Sequence, residues 1–281
     1  MEKGLVDITD IKLTGVFFID ELYSQKHAHM LHKHKGILEL LYIASGEGRY
    51  IVGNREYAVK EDDLVICNAD TLHGEAPFQK HKMQTYCCAL SGINFDNLPL
   101  GYIIRQEQRP IIALGEYAKL IEEMMINLYN FYQDNDKILG QQMAITLLML
   151  VVKLLVEHRK DSKFVIEQKN EYLIRKLTSY LDENYTEDIS LEKLSKVMHI
   201  SVSHISHLFK RETGLSPMQF VIHRRIGEAQ SLLAETNIPI KEIEERLGFG
   251  SSCHLTAMFK KYVGLSPREY RKYFLYKHNT K

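Results

Sequence analysis

The chain has 281 residues, of which 45% are apolar and 26% are charged, and its 36 basic and 36 acidic residues cancel to zero. Such values are typical of one large or two ordinary globular domains and exclude general disorder. A zero net charge excludes a uniformly basic nucleic-acid binder but says nothing about distribution. Residues 1–170 carry −4 and residues 171–281 carry +4, with +6 over residues 199–281. This division fits an acidic control domain joined to a polyanion-binding domain.

The cysteine pattern and the apolar runs predict a cytoplasmic protein. The chain has four cysteines, Cys67, Cys87, Cys88 and Cys253, and none of them forms a C-x-x-C pair. They are therefore predicted to be free thiols in a reducing compartment. The first residues lack the apolar core of a signal peptide, and the most apolar run, 143–152, is too short to span a bilayer.

The N-terminal half is predicted to be a β-barrel followed by two helices. Short apolar and β-branched segments separated by turn signals indicate strands over about 5–95. Helical periodicity over about 115–158, interrupted by a polar turn at 133–137, predicts an antiparallel hairpin that completes a domain of residues 1–158 and forms a dimer surface. The polar segment 159–170 is predicted to be a linker.

Residues 171–281 are predicted to be all-helical and contain an internal repeat. ISHLFKRETGLSPMQF at 205–220 matches LTAMFKKYVGLSPREY at 255–270 at an offset of fifty residues. Each copy follows a short helix and a tight turn, which is the helix-turn-helix arrangement, here at about 190–212 and 239–262. Ser190, Ser201, Ser216 and Ser266 are predicted N-caps.

Two helix-turn-helix units predict DNA binding, because the second helix of such a unit enters the major groove. Small polar side chains at the start of this helix can form hydrogen bonds with base edges, and basic side chains at its end can contact phosphates. The predicted DNA-binding residues are Ser201, Ser203, Ser206, His207, Lys210, Arg211, Ser251, Ser252, Thr256, Lys260 and Lys261.

Residues 171–275 resemble the DNA-binding domain of the AraC/XylS family of transcription regulators. The matching stretches include RIGEAQSLL at 225–233, Gly248-Phe249 and the repeated F-K…G-L-S-P. The resemblance implies two helix-turn-helix units joined by a long helix at about 217–235, with recognition helices in successive major grooves. His207 and Ala257 stand where the family often has arginine, which predicts weak guanine readout. Glu244 replaces a small residue, which predicts weaker binding by the second unit.

A second constellation lies in the barrel. His32, His34 and Glu39 follow the spacing H-x-H-x4-E and His73 comes near a later strand, so three imidazoles and a carboxylate are available for a metal such as Zn, Fe or Mn. The spacing resembles the first motif of cupins over about 25–95, and His73 matches the second, although Asp62 and Ala69 replace its glycine and proline. The resemblance implies a small jelly-roll barrel.

Three interpretations of this constellation stay open: a metal-dependent enzyme, a metal-responsive sensor, and a sensor of an organic effector such as a sugar. Regulators that resemble this chain commonly keep the H-x-H…E…H pattern in a ligand-sensing cupin, which favours the organic effector. The sequence therefore predicts an α+β two-domain, non-enzymatic transcription regulator. Its expected partners are operator DNA, a small-molecule effector, a second copy and, for an activator, RNA polymerase; no cofactor is required, and a divalent metal is the alternative occupant.

Overall fold

The computed structural model describes residues 10–20, 30–76, 83–158 and 169–279. Its strands are β1 (Lys12–Ile19), β2 (Ile37–Ser45), β3 (Glu47–Val52), β4 (Arg55–Lys60), β5 (Asp63–Cys67), β6 (His73–Glu75), β7 (Gln84–Ser91) and β8 (Ile111–Ala113). They form a five-stranded sheet in the order β1-β7-β2-β5-β8 and a three-stranded sheet in the order β4-β3-β6. The pairings are antiparallel.

The alternation of side chains along β2 builds two separate apolar layers. Leu40 and Tyr42 join the cluster between the large sheet and the helical hairpin. Leu41 and Ile43, which point to the opposite face, join the cluster that fills the barrel interior. Because both faces of the strand are covered, six consecutive residues from Leu38 to Ile43 are buried.

The sheet extends further along the chain than predicted. The predicted barrel ends at about residue 95, but β8 lies at Ile111–Ala113 and pairs with β5, with Leu64 opposite Ile112. Three residues are too few to display the two-residue alternation of a strand. The edge of β5 supplies the pairing that makes this segment a strand.

The predicted hairpin consists of α1 (Ala118–Gln133) and α2 (Lys137–His158). The inner face of α2 packs on the large sheet, and Leu148 has no exposed surface. The outer face carries Ile138, Met149 and Val156, which are 73%, 42% and 53% exposed. In the part of the chain that the structure describes, α2 is the one helix whose length and composition would allow it to cross a membrane. Here it is a helix with one face on the sheet.

The C-terminal region contains α3 (Lys169–Asn184), α4 (Leu191–Met198), α5 (Val202–Thr213), α6 (Pro217–Glu235), α7 (Ile240–Arg246), α8 (Ser252–Val263) and α9 (Pro267–Asn279). Lys169 and Asn170 belong to α3, and residues 159–168 of the predicted linker lie outside the described residues.

The predicted N-caps of these helices are confirmed. Ser190 accepts a hydrogen bond from the Lys193 amide, and Ser216 forms a capping box with Gln219. Ser201 and Ser266 cap their helices in the same way. Each such cap contributes about 1 kcal/mol by satisfying an otherwise unpaired amide.

The two helix-turn-helix units, α4-α5 and α7-α8, have separate apolar cores that both include residues of α6. Phe209 and Phe220 meet edge to face in the first core, at a centroid distance of 5.5 Å. Phe259 and Tyr270 do so in the second, at 5.3 Å. Arg225 of α6 donates to the carbonyls of Tyr185, Glu187 and Gly248, which ties α6 to the loop after α3 and to the turn of the second unit.

Candidate functional site

The structure brings all four predicted site residues of the barrel together. One potential ligand atom from each of His32, His34, Glu39 and His73 lies within 4.8 Å of those of the other three. Glu39 lies on β2 and His73 starts β6, and both are buried. The H-x-H spacing predicts a strand that carries both rings on one face, but His32 and His34 are half-buried in the segment before β2. His32 is held by a two-residue bridge, in which its amide and carbonyl pair with those of His73.

Backbone carbonyls fix the orientation of two imidazole rings. Nδ1 of His32 lies 2.7 Å from the carbonyl oxygen of Met30, and Nδ1 of His73 lies 2.8 Å from that of Thr71. When Nδ1 donates to a carbonyl, Nε2 is the nitrogen for ligation, and metal-binding histidines commonly show this arrangement. Nε2 of His73 is 3.0 Å from Glu39 Oε2, and Nε2 of His34 is 3.4 Å from Glu39 Oε1.

The electrostatics of the cluster favour a buried negative charge surrounded by imidazoles. Burial by itself would raise the pKa of Glu39, but the hydrogen bond from His73 and the charges of the three histidines lower it to about 2. Burial would lower the pKa of His73, yet its hydrogen bond to Glu39 and the charge of that carboxylate raise it above its usual value. Nε2 of His73, which faces Glu39, is the ring nitrogen that a cation would take, because Nδ1 is held by the Thr71 carbonyl.

The donor set fits a divalent cation. Three imidazole nitrogens and one carboxylate are ligands that Zn, Fe, Mn and related metals accept. Cys67 and Cys87 are buried beside Glu39, and the pKa of each thiol is raised well above its usual value by burial and by the charge of Glu39. Both are therefore neutral thiols at neutral pH in the metal-free chain, and the group of donor atoms within 4.8 Å of one another consists of His32, His34, Glu39 and His73. Cys67, Cys87 and Cys88 are buried, as expected for structural thiols, whereas Cys253 is exposed in the first turn of α8.

The predicted DNA-binding residues lie on α5 and α8 and at their N-caps. Ser206 is half-buried, and the remaining ten are exposed: Ser201, Ser203, His207, Lys210, Arg211, Ser251, Ser252, Thr256, Lys260 and Lys261. Lys210 and Arg211 lie in the last turn of α5 and Lys260 and Lys261 in that of α8. The structure therefore presents a polar amino-terminal end and a basic carboxyl-terminal end on each helix.

Several of these hydroxyls already have a partner within the chain. Ser201 and Ser251 cap their helices by accepting from the amides of His204 and His254. Ser252 donates to the carboxylate of Glu244. The carboxylate of Glu244 thus lies beside the start of α8.

Two exposed histidines were missed by the sequence reasoning. His204 and His254 occupy equivalent positions in the first turns of α5 and α8, and both are exposed. Extending the fifty-residue repeat upstream of Ile205 aligns His204 with His254 and would have found them. An imidazole in the first turn of a recognition helix is able to donate to a base edge or a phosphate.

Comparison with known proteins gives matches in both halves of the chain. Residues 194–273 match a family described as "Helix-turn-helix domain", and residues 22–86 match one described as "Cupin domain". The chain is similar to the uncharacterized HTH-type transcriptional regulator YdiP of Escherichia coli K12, with 31% identity over 86% of this chain and 81% of that protein. It is 25% identical to the HTH-type transcriptional activator RhaR of Shigella dysenteriae over 83% of this chain and 84% of that one.

Among solved structures, a ToxT variant from Vibrio cholerae matches over 94% of this chain and 97% of its own, with 14% identity and a TM-score of 0.48. The family assignment rests on the similarity to YdiP, at 31% identity over 86% of this chain, and on the two domain matches. The repeated F-K…G-L-S-P agrees with these matches, as do the two capped helix-turn-helix units that follow the cupin barrel along the chain. The chain belongs to the AraC/XylS family of DNA-binding transcription regulators.

Proposed function

We propose that this regulator binds a specific operator through α5 and α8, and that a divalent cation at His32, His34, Glu39 and His73 controls this binding. The observation that carries the cation is the assembly of four ligand atoms within 4.8 Å of one another. The carbonyl bonds at Nδ1 of His32 and His73 add support, since they orient both rings for ligation. A cation there would supply positive charge and rigid bonds between the segment before β2 and the start of β6.

The organic effector expected from the sequence is the second candidate. The side chain of His34 is 29% exposed, so the site has an approach from solvent. A carboxylate or a pair of sugar hydroxyls entering there would meet imidazole donors, either directly or as further ligands of the cation. We propose the cation first because one donor atom from each of the four side chains lies within 4.8 Å of the other three, a separation suited to a single ion.

The interpretation as an enzyme receives no specific support. The matched relatives are named as transcription regulators. Such a protein acts on chromosomal DNA, and we propose a cytoplasmic location and, for an activator, contact with RNA polymerase.

Operator binding and its control are expected to appear in one experiment. A duplex enriched from a random library by the metal-free chain, or by the chain with one equivalent of Zn²⁺, is titrated under both conditions at several salt concentrations. We expect affinity to fall as salt rises, because basic side chains displace counterions from phosphates. We also expect at least about a tenfold difference between the two metal conditions, a size typical of coupling between sites. No enriched duplex would contradict DNA recognition, and equal affinities would contradict control by zinc.

We further propose that the outer face of α2 forms the homodimer interface. Five apolar residues recur at helical spacing along this face: Ile138, Ile145, Met149, Val152 and Val156. Ile145 and Val152 are half-buried, and the other three are exposed. Such a stripe buries apolar area when it meets its own copy. Pairing two chains would also turn weak half-site binding into tight binding.

Replacing Met149 and Val156 by glutamate is expected to convert the dimer into a folded monomer, measured by sedimentation. Leu148 is unsuitable for this test, because it is fully buried against the sheet and its replacement by glutamate would unfold the domain. The Leu148→Glu chain therefore serves as the contrasting control. A dimer that survives both surface substitutions would place the interface elsewhere.

A further inference from the structure

The segment Met30–His34, which we call the strap, contacts both the cation site and the DNA-binding helices. Its residues His32 and His34 supply two of the four candidate ligands. The residues beside them, Met30, Leu31 and Lys33, face the C-terminal region instead. A stretch of five residues is therefore shared between the barrel site and the helices that carry the recognition elements.

The apolar residues of the strap are anchored in both helix-turn-helix cores. Leu31 has no exposed surface and belongs to the core of the first unit, whereas Met30 belongs to the core of the second. Between them the strap backbone crosses α6 at Gly227. A Cβ atom at this position would overlap the carbonyl oxygen of Leu31. The glycine thus provides the gap that lets the strap lie directly on the helix joining the two units.

Polar contacts hold the strap on the same helices. The amide of Met30 donates to Oε1 of Gln230 on α6 at 3.2 Å. Nζ of Lys33 lies 2.5 Å from Oδ2 of Asp182 on α3, and the other oxygen of Asp182 accepts from Arg224 of α6 at 2.8 Å. Arg224 is almost fully buried, so this row of charges runs from the strap into the DNA-binding domain.

The barrel wall beside the strap docks on the first unit. Ile51, Leu72 and Ala76 share one apolar cluster with residues of α3, α4, α5 and α6. The carboxylate of Glu56 on β4 lies where a Cβ of Gly214, at the end of α5, would be. The strap is thus part of a continuous interface, and it carries two of the four candidate ligands.

We propose that the strap couples occupancy of the histidine–carboxylate site to docking of the DNA-binding domain on the barrel. This inference rests on the proposed function, because it concerns the same site. The four donors are assembled in the docked arrangement, while Met30 and Leu31 are seated in the helical cores. Undocking withdraws that support from His32 and His34. A cation and the docked domain therefore stabilise each other, and the coupling is reciprocal.

The coupling is tested from the far side of the interface with Gly227→Ala. The nearest atoms to the added methyl group belong to Met30 and Leu31, and alanine favours a helix more than glycine does. The substitution is therefore expected to unseat the strap while leaving α6 folded, which the helical content measured by circular dichroism verifies. Gly140→Ala on α2 is the matched control, because its methyl group would meet neighbours only at 3.5 Å or more. Asp182→Asn is a second variant, which removes the charge that faces both Lys33 and Arg224.

The measurement is the affinity for Zn²⁺, by calorimetry with a competing chelator, in the metal-free full-length chains. We expect Gly227→Ala to bind Zn²⁺ at least about tenfold more weakly, Asp182→Asn a few-fold more weakly, and Gly140→Ala as the unaltered chain does. Equal or tighter binding by Gly227→Ala would overturn the coupling and leave the proposed function intact. Failure of the unaltered chain to bind Zn²⁺ would overturn the proposed function, and the coupling with it.

Discussion

Replacing His73 by alanine is expected to lower the affinity for Zn²⁺ by at least about 100-fold. Loss of a group that merely orients a ligand costs 10- to 100-fold, and His73 is proposed as a ligand itself. Its ring is buried, its Nδ1 bonds to the Thr71 carbonyl and its Nε2 lies 3.0 Å from Glu39. Calorimetric titration of the metal-free chain with Zn²⁺ in the presence of a chelator measures the change.

The His73 variant also leaves the Glu39 carboxylate buried without its closest partner, which destabilises the fold. A second substitution, His34→Ala, separates the two effects, because the His34 side chain is 29% exposed and its removal buries no new charge. We expect it to weaken Zn²⁺ binding while the unfolding midpoint changes little. His199→Asn, an exposed histidine in the turn between α4 and α5, is the control. Unchanged Zn²⁺ affinity in both barrel variants would exclude this cluster as the binding site.

Replacing Phe209 by alanine is expected to lower the free energy of unfolding by about 3–5 kcal/mol. The ring has no exposed surface, meets Phe220 edge to face and lies in the cluster shared by the first helix-turn-helix unit and the barrel wall. A loss of this size is a large fraction of the roughly 5–15 kcal/mol by which domains are stable, so operator binding is expected to weaken as well. Urea denaturation followed by circular dichroism measures the first effect and DNA titration the second.

The matched control is Phe17→Ala, because the Phe17 side chain on β1 is 52% exposed. Its substitution is expected to cost far less, since most of its surface is in contact with water in the folded state. The equivalent position of the repeat, Phe259, is fully buried against Tyr270 and is expected to behave as Phe209 does within the second unit. If Phe209→Ala costs no more than Phe17→Ala, the first unit does not depend on this core.

Local sequence determined much of the C-terminal half. The predicted caps Ser190, Ser201, Ser216 and Ser266 form the expected hydrogen bonds, because a cap is a contact between residues three apart in the chain. The repeated F-K…G-L-S-P predicted the positions of α5 and α8, because this motif also lies within a short stretch of sequence. The prediction for the barrel was less complete: the pattern identified His32, His34, Glu39 and His73, but β8 was missed because three residues carry no periodic signal.

The sequence by itself therefore determined which segments form strands and helices, the repeated helix-turn-helix units, the family and the candidate ligand residues of the barrel. Only the tertiary structure decided how the two halves meet. It placed Met30 against Gln230, two hundred residues away, and laid the strap across Gly227. It also showed that Leu148 faces the sheet whereas Met149 faces solvent. Such contacts depend on which apolar surfaces bury each other in the folded chain, and no spacing within a short stretch of sequence encodes that choice.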